Sequence, residues 1–346
     1  MSASSEKQFA HRVLIATAIV IALILLMLAA WFSRQVLLMT FAGVLFAIFL
    51  RGLADAVSMH GKIGKGWALG LAVAILLGLL VLLGLLVIPS ASAQFAELSE
   101  QMPKALNELK PRLQTVPLFG YLARELPALS QAGSEGGKLL SKAGQVFSGS
   151  MEVIGGFVLV LFLGLYLAGA PEVYVEGCVR LIPEGRRARA REILTEIALV
   201  LRRWLWGQLI SMTVVGVLIG IGLKVIGIPA PVALGLLAGI FDFIPIVGPL
   251  FSAAPAVVLA FLISPWHALY TVLLFVLVNT VLESHVLVPL VQRYTVALPP
   301  ALTMVALVVM GVLFGFLGIL LAIPMAATLL VLLKRVYVED VLGDRH

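Results

Sequence analysis

Two carboxylates stranded in apolar sequence are the groups through which this chain could do chemistry. Asp242 opens the run Asp242-Phe-Ile-Pro245-Ile-Val-Gly248-Pro249, with apolar residues on both sides. Glu283 sits inside the apolar stretch 268–288, four residues after Asn279. Residues four apart share a helix face, so Asn279 and Glu283 form one polar edge, while His285 points elsewhere. A carboxylate at the centre of a bilayer costs roughly 2.5–3.5 kcal/mol on the lenient scale, so it belongs against a cavity or a partner. The chemistry open to these groups is the binding of a proton, a monovalent cation or a small polar solute. Each has a structural alternative. Asp242 can cap backbone amides freed at a helix break, and Glu283 and His285 can be interfacial or hydrogen-bonding residues. Gln208, Ser211 and Thr213 can line the same path or hold helices together.

Enzyme chemistry finds no support. The chain has no His-Glu-x-x-His helix, no Gly-x-Ser-x-Gly turn and no Walker loop, and Leu282-Glu-Ser-His285 lacks metal-ligand spacing. No metal or cofactor is implied. Without a nucleotide site, any solute movement must follow a gradient. The one cysteine, Cys178, forbids an internal disulfide and reads as a small apolar residue beside Val179.

The elements that must position these groups are membrane helices. Of 346 residues, 61% are hydrophobic and only 12% charged, against about 45–50% and 25% in soluble domains. Too little polar surface remains to wrap a soluble globule, and the mean hydropathy is +1.11. The fold class is therefore an all-α integral membrane protein. The net charge of +6 fits basic residues kept on the cytoplasmic side rather than a nucleic-acid partner.

Apolar runs cover 14–32, 36–50, 67–88, 153–168 and 204–223. Lys7, His11 and Arg12 precede the first run like a signal-peptide n-region, but the run is too long for one and reads as an uncleaved anchor. The second run is short, and the third ends at Pro89. Over 90–150, Phe95, Leu98, Met102, Leu106, Leu109, Leu113 and Val116 recur at helical spacing. That amphipathic helical segment, bent or divided by Pro103 and Pro111, packs on a neighbouring subunit or lies at the interface. Residues 133–137 form a flexible joint. Arg180, Arg186, Arg187, Arg189, Arg191, Arg202 and Arg203 mark a cytoplasmic loop, with 186–205 an amphipathic helix feeding the fifth span. Counting outward from that loop places both termini in the cytoplasm and 90–150 outside. The chain divides into 1–89 (three spans), 90–150, 151–205 (fourth span and arginine-rich helix) and 206–346 (a core with broken helices).

In that core the apolar runs break. Residues 232–241 and 250–263 are each too short for a ~30 Å hydrocarbon layer. Pro245 and Pro249 remove amide donors and Gly248 permits a reversal, so 232–263 is a re-entrant helical hairpin or a proline-kinked span. Pro299 and Pro300 open a second run, 301–333, interrupted by Gly311, Gly315, Gly318 and Pro324. It is a steep helix or a second hairpin turning at 314–318. These bring the total to about eight hydrophobic segments, and paired interruptions point to a transport site. Gly311 and Gly315 also form a Gly-x-x-x-Gly pair suited to packing within the monomer or to an oligomer seam.

Several of these elements occur in a recognisable order. Trp206-Gly-Gln208, Gly227-Ile-Pro229, Asp242 through Pro249, Glu283 with Pro289, Leu298-Pro-Pro, and Gly315-Phe-Leu-Gly-Ile-Leu-Leu-Ala-Ile-Pro324 together resemble the autoinducer-2 exporter (AI-2E) family, most densely over 186–330. The resemblance implies a multi-pass permease of the bacterial inner membrane, conventionally counted as eight spans. It further implies export of the furanone-type quorum-sensing signal autoinducer-2 or, in a divergent branch, sodium(lithium)/proton antiport. Many relatives carry Asn where this chain has Asp242 and an aromatic where it has Ile246; the extra carboxylate favours a cation. The expectation is a secondary transporter or facilitator in a homo-oligomer, using Asp242, Glu283, Asn279, Gln208, Pro245, Gly248, Pro249, Gly315 and Gly318. A non-transporting scaffold, docking partners on 95–116 and 186–203, is the alternative from another class.

Overall fold

The computed structural model describes residues 33–58, 64–115, 151–245, 247–281 and 299–344, with five isolated positions before residue 33, and backbone alone at 101–115 and a few other helical positions. Every element among the described residues is helical. In chain order these are α1 (Arg34–Ser58), α2 (Lys65–Thr115), α3 (Met151–Gly169), α4 (Pro171–Arg180), α5 (Arg187–Ile226), α6 (Pro231–Phe241), α7 (Val247–Ile263), α8 (Pro265–Val276) and α9 (Pro300–Leu332), the last continued by π-helical turns, Leu333–Glu339. By length and composition, four stretches among the described residues could cross a bilayer: Arg34–Ser58, Gly66–Leu85, Glu184–Ile226 and Pro300–Glu339, the last interrupted at Gly315 and ending in the charged turns 334–339. Leu80, Val217 and Val312 stand exposed on them, as lipid-facing side chains do. This is a multi-pass membrane protein.

Local sequence explains the helix ends. α5 stops at Gly227, whose φ of 85° is left-handed, and Ile228 N–H closes on the Leu223 carbonyl at 2.9 Å. α8 starts where Ser264 accepts from His267 N–H, with Pro265 in the first turn.

Three expectations are corrected. α1 has 25 residues and reaches well beyond 36–50. α2 does not end at Pro89; it runs for 51 residues through Pro89, Pro103 and Pro111, so span and extramembrane segment share one rod. A proline deletes one donor and pushes back one carbonyl, which a long helix absorbs as a bend. Cys178 is exposed, and its neighbour Val179 is the buried residue. Of the amphipathic stripe on 95–116, Leu98 is buried in the core shared by α5, α6, α7 and α8; the side chains from 102 onward lie outside the described residues.

Both interrupted segments are hairpins. The rings of Phe241 and Phe251 stack at 6.4 Å, although ten residues of straight helix would separate them by about 15 Å. α7 therefore folds back on α6. A Cβ on Gly248 would overlap the Phe241 carbonyl oxygen, so only glycine closes this turn. In α9, Gly315 has φ 67° and ψ −148°, a conformation glycine alone adopts readily. Around it the limbs converge: a Cβ on Gly311 would sit 3.0 Å from Ile319 Cγ1, and one on Gly318 would overlap the Met310 carbonyl. α9 is thus two antiparallel limbs, 300–314 and 316–332, rather than one steep crossing. Gly311 and Gly315 serve this turn, inside the monomer.

Contacts at the two ends of α5 show that the hairpins point in opposite directions. At the arginine-rich end, Arg202 pairs with Asp55 of α1 at 2.6 Å. There Arg335 grips Glu196 through two bonds (2.5 and 2.9 Å), and Arg189 meets Glu339 at 2.8 Å. The base of the α9 hairpin is therefore at this end. Its turn reaches the opposite end, where Arg34, at the start of α1, donates to the Leu313 carbonyl at 3.0 Å. The α6–α7 hairpin has its base at that opposite end, just after Gly227, where Gln94 of α2 accepts from Val232 N–H (2.9 Å) and Ala233 N–H (3.2 Å).

α6 lies against α5 backbone to backbone. A Cβ on Gly235 would meet the Gly216 carbonyl at 2.7 Å, and one on Gly239 the Met212 carbonyl at 2.6 Å. The pairs Gly216/Gly220 and Gly235/Gly239 interlock as small residues do at close membrane-helix contacts.

Candidate functional site

The tip of the α6–α7 hairpin is where polar groups gather. Gln208, on α5, donates through Nε2 to the Asp242 main-chain carbonyl at 2.8 Å. The Asp242 side chain is 2% exposed, and neither carboxylate oxygen has a hydrogen-bond partner among the described residues. The Ser211 hydroxyl, one turn beyond Gln208, lies beside the carboxylate without reaching hydrogen-bond geometry, and it too is unpartnered. Asp242 does not cap freed amides: those at 243, 244 and 248 bond to the carbonyls of Ile240, Phe241 and Ile244. Instead it stands at the carbonyl end of α6, where the helix dipole adds partial negative charge and favours a cation or a hydrogen-bond donor. A buried acceptor pair without donors is costly, and a bound proton, cation or solute hydroxyl removes that cost.

Apolar packing fixes the tip. Phe243 meets the Trp204 ring edge-on at 5.7 Å. Ile244, with Phe243 and Val247 around it, packs on both limbs of the α9 hairpin through Leu307, Met310, Ile319 and Ala322. Those residues lie four to eight positions from Gly315, about 6–12 Å along a helix. The two hairpins thus overlap side by side, with the tip of one against the shaft of the other.

The structure brings together Asp242, Gln208, Ser211, Pro245 and Gly248, and the Pro249 carbonyl accepts from Ser252 Oγ at 3.1 Å in the first turn of α7. Gly315 and Gly318 belong to the other tip, near Arg34. Thr213 bonds its own helix at Leu209 O, 2.8 Å. Asn279 returns through Nδ2 to the Phe275 carbonyl at 2.8 Å, where the backbone widens into π-helix over 277–281, a local geometry frequent at functional sites. Glu283, His285, Pro289 and Ile246 lie outside the described residues. Sequence reasoning missed the Gln94 cap, the Trp204–Phe243 contact and the glycine seam between α5 and α6. The seam did carry a signal, two glycine pairs each spaced by four.

Known proteins resemble this chain over much of its length. The model of the family described as "AI-2E family transporter" matches residues 20–337. "Putative transport protein YrrI" of Bacillus subtilis is 31% identical over 189 residues, which is 54% of this chain and 53% of that protein. A "Putative transport protein" of Thermotoga maritima is 26% identical over 238 residues, 69% of this chain and 71% of its own length. "Putative permease PerM" of Escherichia coli K12 is 25% identical over 277 residues, 76% of each chain. The match thus spans about half the length of the first of these relatives and about three-quarters of the last. With a family model covering nearly its whole length, this chain belongs to the AI-2E transporter family.

Proposed function

We propose that the protein is a secondary transporter or facilitator that exports a small polar solute, of which an autoinducer-2-type furanone is the family-implied example. One observation carries the reading: two helical hairpins enter from opposite ends and overlap, and a buried, unpartnered carboxylate stands at the tip of the first. Broken helices at membrane depth hold backbone groups able to exchange hydrogen bonds with a solute. Gln208 fixes the tip by its backbone, leaving the Asp242 carboxylate and the Ser211 hydroxyl available. A solute rich in hydroxyls can donate to the first and pair with the second. Lacking a nucleotide-binding loop, the chain works down a gradient. The arginine-rich end, which holds the C-terminal turns, faces the cytoplasm of a bacterial inner membrane under the positive-inside rule.

A second reading, sodium(lithium)/proton antiport, is favoured by the same carboxylate, because a single unpaired negative charge at a helix carbonyl end matches a monovalent cation. Proteoliposome flux separates the two. A furanone signal and sodium are offered in turn under an imposed pH gradient, to the native chain and to Asp242→Asn and Glu283→Gln. Furanone flux that falls in either variant supports the first reading, and sodium flux that does so supports the second. Flux undiminished in both variants refutes the site.

A further inference from the structure

α4 turns away from the helix it follows. Gly155–Gly169 and Pro171–Arg180 meet at 86° across Ala170, and Pro171, in the first turn, cannot extend the hydrogen-bond ladder of α3. From Val153 onward α3 carries no charged residue, and Phe157, Phe162 and Tyr166 stand exposed on it, as lipid-facing side chains do. A helix at right angles to a membrane-crossing one runs along the bilayer plane. α4 does so at the arginine-rich end, since Glu176 pairs with Arg191 of α5.

One side of α4 is packed, with Val179 1% exposed. The opposite side is open: Val173 is 67% exposed, Tyr174 44% and Leu181 87%, with Cys178 exposed between them. Positions 173, 174, 178 and 181 recur at helical spacing, so these form one apolar stripe with a phenol hydroxyl at its edge. The stripe leads into a turn bounded by two arginines. The Arg180 side chain is 74% exposed and meets Glu176 only loosely, at 3.7 Å; Arg186 is exposed without an acidic partner among the described residues, the turn's Glu184 being paired with Arg187 at 3.4 Å. The turn also holds the start of α5: Arg187 donates through Nε to the Ile182 carbonyl at 3.1 Å.

We propose that α4 and the turn 181–186 form an interfacial anchor seated on the bilayer's own surface. Val173, Tyr174, Cys178 and Leu181 enter the headgroup–acyl boundary, and Arg180 and Arg186 engage anionic phospholipid headgroups. Continuity with the crossing helix α3, the right-angle bend and the arginine pair beside an apolar stripe select lipid over a protein occupant. Arginine stems lie along apolar surface while their heads reach phosphate, which suits this edge. The anchor grips the end of α5 from which Gln208 and Ser211 are carried, so it steadies the frame of the site without entering it. It stands independently of the transported solute.

Cys178, the single cysteine of the chain, lies on the stripe and takes a nitroxide label directly. The labelled full-length protein is reconstituted in phosphatidylcholine vesicles with and without phosphatidylglycerol. Collisions with molecular oxygen, which concentrates in lipid, are compared with those of a water-soluble nickel chelate. Oxygen is expected to dominate, several-fold more so with phosphatidylglycerol. That lipid dependence should vanish in Arg180→Gln/Arg186→Gln, and Leu181→Glu should expose the label to nickel. Nickel access equal to that of a fully hydrated label would overturn the proposal, as would a depth indifferent to lipid charge. Dipolar broadening between labels would assign the stripe to a second copy instead, and also overturn it.

Discussion

Gln208 holds Asp242 by its main-chain carbonyl, Nε2 to O at 2.8 Å, and leaves the carboxylate of the same residue unbonded. Backbone anchoring and side-chain availability are thereby separated within one residue. Gln208→Leu removes the donor and strands a carbonyl at the hairpin tip, which costs about 1–3 kcal/mol. The expected result is a lower unfolding temperature in detergent together with reduced flux. Unfolding and flux both unchanged would show that the tip does not depend on this bond.

Asp242→Asn separates function from stability. The amide has the shape of the carboxylate but carries no charge into a site 2% exposed, so the variant should unfold at the same or a higher temperature. Transport should fall at least tenfold. A variant that is both less stable and fully active would reverse the assignment.

The turns of the two hairpins should tolerate no side chain. Gly248→Ala overlaps the Phe241 carbonyl and Gly318→Ala the Met310 carbonyl; each should cost about 1–3 kcal/mol or more, because backbone must move. Gly78→Ala is the control, with nothing within 4 Å of its Cβ position, and should be neutral or stabilising by up to ~1 kcal/mol. Thermal unfolding of the three purified variants decides the matter.

The C-terminal turns should loosen in acid. Glu339 accepts two bonds from Arg335, at 2.9 and 2.8 Å, and one from Arg189 at 2.8 Å. Arg335 and then Arg189 hold its carboxyl below the ordinary value of 4.5. A carboxyl depressed in the folded state contributes stability above its unfolded value and loses it as pH falls through the folded one. Docking of 333–339 on α5 should therefore be intact at neutral pH and weaken only below about 4.5. Amide hydrogen exchange in the segment should rise there, and Glu339→Gln should already be raised at pH 7.

Much of the core was legible in the sequence because proline and glycine act locally. Pro245 with Gly248 marked the first break, and the glycines at 311, 315 and 318 the second, since a missing donor or Cβ shows in the local sequence. Whether each break reverses the chain or only kinks it depends on the fold, which decides for hairpins. Arg187–Ile226 was legible as an amphipathic helix running into a span, because arginine and apolar periodicities join without a breaker. The unbroken α2 was not legible: whether a helix bends or ends at Pro89 depends on surrounding support, which no local pattern carries. The opposed directions of the hairpins were hidden too. They rest on contacts such as Arg34 with Leu313 and Gln94 with Val232, each linking residues more than a hundred positions apart. Gln208 was chosen for its polarity, while its bond to the backbone of Asp242, rather than to the carboxylate, required the fold.

The seam between α5 and α6 limits what can move. At Gly216, Gly235 and Gly239 hydrogens alone face carbonyls, so at those positions no side-chain layer is there to switch rotamers or let one helix ratchet past the other. The incoming limb of the first hairpin and the long helix behind it must travel as a single rigid body. Any rearrangement that opens a route from one face of the bilayer to the other is left to the second hairpin, whose grip on Ile244 and Leu201 is made of ordinary, repackable side chains.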